Sequence, residues 1–168
     1  MRVIDYKSGR KSWDLNDIIN GRDLQITLYM AAVRELLKRQ FKEKEISPQE
    51  MFYYALHDPI IDKDKLKKKT VEEALKEELK LSGVKERDKI EKLIPYVVEK
   101  AEGIGRMITS GDIRVQPAYR ESGSSGCDYC KYKAVCGFDR RIPGYKYKTE
   151  KKYDEEKAWQ IINGQMNN

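Results

Sequence analysis

No stretch of this 168-residue sequence is apolar for the length that a bilayer-crossing helix requires. Its first residues, MRVIDYKSG, carry neither the basic n-region nor the apolar h-region of a secretory signal. With neither signal present, the chain is expected to be cytoplasmic. Cysteine is scarce: Cys127, Cys130 and Cys136 are the only three, crowded into ten positions. That is a poor disulfide framework and a plausible metal loop. Histidine occurs once, as His57 in "HDP", where nothing suggests that it serves as a ligand. No internal repeat is present, so a solenoid or array is excluded.

What is there is charge. Asp, Glu, Lys and Arg make up 37% of the residues, mean hydropathy is −0.80, net charge is +6 and the pI is near 9.0. The apolar residues are nevertheless clustered and periodic, which marks a folded chain rather than a disordered one. A basic balance permits a polyanionic partner such as nucleic acid without demanding one. Most of the lysine excess falls in mixed Lys/Glu stretches, where a solvated helix face accounts for it.

Along the chain, "RVIDYKSG" alternates toward a Ser-Gly turn and predicts a strand ending at Gly9. A polar linker with Asp14, Asn16 and Asp17 leads to Gly21. "DLQITLYMAAVRELLKRQF" follows, apolar almost all round through Leu24, Leu28, Ala32 and Leu36, which predicts a helix buried on most sides. After Ser47-Pro48, "EMFYYALHDPII" predicts a second strand. A charged linker over 62–69 precedes a capping box, Thr70 with Glu73, that opens a helix to Leu81. From Lys85 to Ser110 the apolar positions Ile90 through Ile108 keep helical spacing, and Pro95 must kink this helix or begin a second one. "GDIRVQPAY" returns to extended chain, and "ESGSSG" approaches the cysteines. "GYKYKTEKKYDEEKAWQII" is a basic, tyrosine-rich tail with a short final helix.

Three short motifs carry chemistry. In "IDYK", Asp5 and Lys7 are two residues apart in a strand, so both side chains leave one face. A carboxylate that holds a divalent cation beside an ammonium that orients water and steadies phosphate charge is a minimal kit for phosphodiester cleavage. Alone, D-x-K is a weak signal, since any edge strand carries it as a surface ion pair. In "LQITLY", Gln25 and Tyr29 stand at i and i+4 on one helix face. Tyr29 by itself reads as a core residue, and Gln25 as bonding a nearby backbone group. The third motif, C-x2-C-x5-C, gathers three thiolates in one loop, as tetrahedral metal and iron–sulfur sites do with four ligands. A buried free-thiol cluster or an adventitious zinc site is the plainer reading of it.

In this order and spacing, "RVIDYKSG", "GRDLQITLY" and "CDYCKYKAVCGFD" resemble the RecB-type nucleases of the PD-(D/E)xK superfamily. Within them the likeness is to the C-terminal nuclease domains of AddB subunits of AddAB helicase–nucleases, from Met1 to about Tyr147. The resemblance implies an α/β fold: a partial restriction-endonuclease-like (PD-(D/E)xK) core over residues 1–61, an added helical segment over 62–112, and a cysteine loop with basic tail over 113–168. It implies Asp5 as a Mg²⁺ ligand, Lys7 as the catalytic lysine, and Gln25 and Tyr29 as supports of the active site and nucleic-acid strand. It also implies that Cys127, Cys130 and Cys136 give three of the four ligands of a [4Fe–4S] cluster.

In such proteins the fourth cysteine, the first metal-binding Asp and a His precede the D-x-K strand. This chain is therefore expected to be the C-terminal piece of a nuclease domain, incomplete and inactive alone, with an empty or zinc-filled loop. The parent activity implied is Mg²⁺-dependent DNA exonuclease action in double-strand-break repair and recombination, with DNA and the AddA helicase–nuclease subunit as partners. Two alternatives stand beside it. CRISPR-associated RecB-like exonucleases share the D-x-K, Q-x3-Y and cysteine motifs, and a noncatalytic nucleic-acid-binding module would need no complete metal site.

Overall fold

The computed structural model describes residues 1–9, 11–56, 70 and 82–164. His57 and the helix expected from Thr70 to Leu81 lie, apart from Thr70 itself, outside the described residues. The chain divides into two compact units, Met1–Asp14 with Asp23–Val98, and Leu15–Arg22 with Glu99–Asn168.

The first unit is built on β1 (Arg2–Lys7), α2 (Gln25–Gln40), β2 (Glu50–Ala55) and β3 (Ser82–Val84). β1 pairs in parallel with β2, and β3 runs antiparallel along the far side of β2. Parallel neighbours need a crossover, and the segment carrying α2 supplies it. Register sets Val3 against Met51, Asp5 against Tyr53 and Lys7 against Ala55, so the odd-numbered residues of the two strands share a face. α2 packs against both strands. The core is closed by Ile26, Met30, Met51, Val84 and three residues of the helix Arg87–Thr109 (α3), namely Ile90, Leu93 and Val97. Burying each such side chain contributes about 1.5–3 kcal/mol.

α2 is not buried on most sides, as its composition suggests. Its sheet-facing side is Ile26, Thr27 and Met30, while Ala32 is exposed and Leu36 is 62% exposed. An i, i+4 row drifts about 40° around the helix with each step, so the row from Leu24 to Leu36 walks off the buried face. α3 is a single helix with Pro95 inside it rather than two helices. Pro95 is exposed, and Ile90, Leu93 and Val97 hold the buried side. At the C-terminal end the apolar pattern ceases to report burial, because Ile108 is 70% exposed.

The second unit joins a short helix (α1, Leu15–Ile19) to a parallel pair, β4 (Ala118–Arg120) with β5 (Lys148–Glu150), and to α5 (Glu155–Ile162). The segment read as a polar linker is thus helical: Leu15, Ile18 and Ile19 are buried, and α1 packs against α5 through Ala158, Ile161 and Ile162. Asn16 fixes this packing by exchanging two hydrogen bonds with the backbone of Tyr153, donating to its carbonyl at 3.1 Å and accepting from its amide at 2.7 Å. Buried Glu150 meets Arg22 at 3.1 Å and Arg120 at 3.6 Å. Asp154 caps α5, accepting from the Lys157 amide at 2.9 Å, and that bond holds its carboxyl below the ordinary range. Between β4 and β5 lies the cysteine loop, with one short helical turn, α4 (Lys133–Cys136), ended by Gly137 at φ 64°.

Candidate nuclease site and cysteine loop

Strand periodicity places Asp5 and Lys7 together, and tertiary packing adds α2. The Lys7 ammonium lies 2.8 Å from Asp5 Oδ2 and donates to Gln25 Oε1 at 2.7 Å. Gln25 Nε2 then donates to the Tyr29 hydroxyl at 2.7 Å. All four sequence-predicted residues of the catalytic set therefore form one polar chain, from a strand to the first turns of a helix. The ion pair is not a loose surface one. The Asp5 side chain is 14% exposed and that of Lys7 28%. Although close to Lys7, Asp5 Oδ2 is buried without a well-aligned hydrogen bond, which leaves it short of a directed partner. Tyr29 is not a core residue. It is 47% exposed, with its hydroxyl turned to Gln25.

Three further residues complete the site. Because Tyr53 sits opposite Asp5 in the register, its ring lies under the Lys7 ammonium, 5.3 Å from centroid to nitrogen. Lys11 stands 6.0 Å from the same centroid. The Tyr53 hydroxyl donates to Asp23 Oδ1 at 2.5 Å, and Lys11 pairs with Asp23 Oδ2 at 3.2 Å. Asp23 is itself buried. Sequence reasoning missed all three. The alternation of "EMFYYA" puts Tyr53 and Met51 on one face, but not beside Asp5. Asp23, two residues before Gln25, gave no sign of being a buried acid.

Two lysines and two carboxylates around one aromatic ring make a compact, charge-balanced site that orients an ammonium. It is not a complete cation site. Among the described residues no three His, Cys, Asp or Glu side chains converge to hold a metal ion. Of these groups, the Asp5 carboxylate beside the Lys7 ammonium suits one ligand position of a divalent cation.

The cysteine loop is organised differently. Ser125 and Asp128 close its first turn: the Ser125 amide donates to Asp128 at 2.8 Å, its hydroxyl to the other carboxylate oxygen at 2.9 Å, and the Cys127 amide to Ser125 Oγ at 3.1 Å. These bonds hold the Asp128 carboxyl below its ordinary range. Cys127 is half-buried, Cys130 and Cys136 are exposed, and all three are free thiols. They do not converge as a metal-holding group. The loop as described does not by itself fit a cluster.

The family model of the PD-(D/E)XK nuclease superfamily matches residues 1–137. AddB proteins, the B subunits of ATP-dependent helicase/deoxyribonucleases, are similar over almost the whole chain. That of Lachnoclostridium phytofermentans is 29% identical over 96% of this chain and 18% of its own length. That of Clostridium acetobutylicum is 28% identical over 99% of this chain and 18% of its own. That of a Thermoanaerobacter species is 30% identical, with the same two shares. The chain spans about a fifth of the length of these relatives. Among the described residues no helix is long and apolar enough to cross a membrane.

Proposed function

Because this chain belongs to the PD-(D/E)XK nuclease superfamily, we propose that it is nuclease-domain sequence of an AddB-type helicase/deoxyribonuclease protein, cutting DNA as a Mg²⁺-dependent exonuclease in break repair. One observation carries the reading: Lys7 is held between the Asp5 carboxylate at 2.8 Å and the Gln25 amide oxygen at 2.7 Å, on the face of a strand. An ammonium has three donors. Gln25 takes one in an aligned hydrogen bond, Asp5 holds the charge as an ion pair, and a remaining donor is left to meet a scissile phosphate oxygen or the attacking water. Gln25 and the Tyr53 ring fix where that donor points, and Tyr29 fixes Gln25. Such pre-positioned charge is effective because it costs no reorganisation as the phosphate gains charge.

Bound Mg²⁺ would polarise the phosphate and lower the pKa of a coordinated water. Asp5 is the residue of this chain assigned to hold it. A [4Fe–4S] cluster held by Cys127, Cys130 and Cys136 would require the loop to close from its described arrangement. DNA and the AddA subunit are the proposed partners, in the cytoplasm. The names of the relatives support this reading over a CRISPR-associated exonuclease.

The test is cleavage of end-labelled DNA by the full-length AddB-type protein, paired with an AddA subunit whose own nuclease is inactivated. Asp5→Asn and Lys7→Ala are each expected to lower the cleavage rate by about 100-fold or more, the loss typical of removing one preorganised charge. DNA binding and thermal melting should be retained. Undiminished cleavage in both variants overturns the reading and leaves a noncatalytic binding module.

A further inference from the structure

The second unit holds two adjacent cavities, of about 430 Å³ and about 320 Å³, with Tyr145 and Lys146 as their common wall. Arg114 lines the first, while Tyr119, Arg140 and Tyr147 line the second. Among the described residues no carboxylate lines either. The tyrosines belong to one aromatic chain. Tyr119 lies 5.0 Å from Tyr147, Tyr147 lies 4.8 Å from Phe138, and Phe138 lies 5.5 Å from Tyr145, centroid to centroid.

The cations differ in how far they are committed. Arg114 is clamped by Asp112 at 2.5 and 2.8 Å. Arg140 and Lys146 have no ion-pair partner among the described residues. A groove walled by tyrosine rings, carrying two uncommitted cations and no acid, asks for a ligand with two properties. It must be polyanionic, and it must offer flat apolar faces at intervals. Duplex DNA meets the first condition but hides its base faces, and an acidic peptide lacks them altogether. An unpaired strand meets both, with bases stacking on the rings and phosphates meeting the cations.

We propose that the paired cavity is a binding groove for single-stranded nucleic acid. The bases lie against Tyr119, Tyr145 and Tyr147, and the phosphates meet Arg140 and Lys146. The inference does not rest on the nuclease reading, because it concerns binding alone. Fluorescence anisotropy in EDTA measures that binding without any cleavage. A cleavage-dead protein with an intact groove would overturn only the nuclease proposal, and an empty groove in an active nuclease only this one.

The 168-residue chain is titrated against labelled oligo-dT and oligo-rU of about 12 nucleotides, within the site size of such grooves. The same titration is run with a duplex and with an abasic strand of equal charge. Oligo-dT or oligo-rU is expected to bind at least about fivefold more tightly than the abasic strand, since stacking on even one ring supplies that much. The dT-to-rU ratio identifies which strand the groove takes. Tyr145→Ala should weaken binding by about 5- to 150-fold, the equivalent of losing one stacked base. Tyr145→Phe, which keeps the ring, should not. Arg140→Gln and Lys146→Gln should each lower the slope of log affinity against log salt by about 0.7. Abasic and normal strands binding equally, tighter binding of duplex, or no binding at low salt would overturn the proposal. The abasic comparison uses unmodified protein, so it decides the matter even if Tyr145→Ala does not fold.

Discussion

The Asp5–Lys7 strand and the Cys127–Cys136 loop each present polar groups at short spacing, but they differ in what holds those groups. On β1 the two-residue period fixes the common face, and ladder bonds to β2 fix the height at which Tyr53 meets it. α2 then brings Gln25 within 2.7 Å of the ammonium. Every group is held by a regular element whose own stability comes from a buried core. In the loop the backbone follows turn bonds around Ser125 and Asp128, and nothing buried draws the sulfurs together. Tyr129, between the first two cysteines, is 98% exposed. Preorganised polar geometry of this kind is a property of packed secondary structure. A ligand loop has no comparable driving force until its ligand supplies one.

The strongest way to break this comparison is to disturb the sheet and ask whether the site goes with it. A Cβ on Gly83 would stand 2.1 Å from the Met51 carbonyl oxygen and 2.5 Å from Phe52 Cα, both backbone atoms of the neighbouring strand. Gly83→Ala is expected to destabilise the chain by about 1–3 kcal/mol or more, as overpacking against atoms that cannot rotate away does. Denaturant unfolding measures the loss. A neutral outcome would show that β3 contributes little to holding β2 in register.

A smaller effect is expected at the loop. In this chain the three thiols should all titrate with a disulfide reagent under native conditions, Cys130 and Cys136 before the half-buried Cys127. In full-length protein loaded with iron and sulfide without oxygen, all three should be protected together. Protection of none would remove the cluster from the proposed function and leave the loop as free thiols.

The smallest effect is electrostatic, on the far side of the same loop. The Arg141 side chain, and then its backbone amide, hold the exposed Asp139 carboxyl down at about 2 from an ordinary 3.8. A carboxyl depressed in the folded chain stabilises it above its ordinary value, and that contribution is lost as pH falls from about 4 through about 2. Solvent screening keeps the effect small. Carboxyl NMR should find Asp139, and likewise Asp112 beside Arg114, still ionised at pH 3, where an ordinary Asp is mostly protonated. A midpoint near 4 would mean that these pairs do not persist in solution.

By itself the sequence determined what short-range covalent geometry controls. "RVIDYKSG" had to be a strand with Asp5 and Lys7 on one side, because side chains alternate at every residue. Gln25 and Tyr29 had to share a helix face, because four residues make little more than one turn. Only the tertiary structure decided which distant residues complete these pairs. That Tyr53 stands beside Asp5 depends on parallel register between strands 48 positions apart, and no local pattern encodes an offset across a crossover. That "DLNDII" forms a helix, despite its acids and amides, depends on α5 covering Leu15, Ile18 and Ile19. Burial free energy from a partner far along the chain outweighs weak local propensity. The cysteine spacing was likewise plain in the chain, and the position of its sulfurs was not. Spacing limits how far apart three thiols can be, and only packing or a bound ligand brings them to a point.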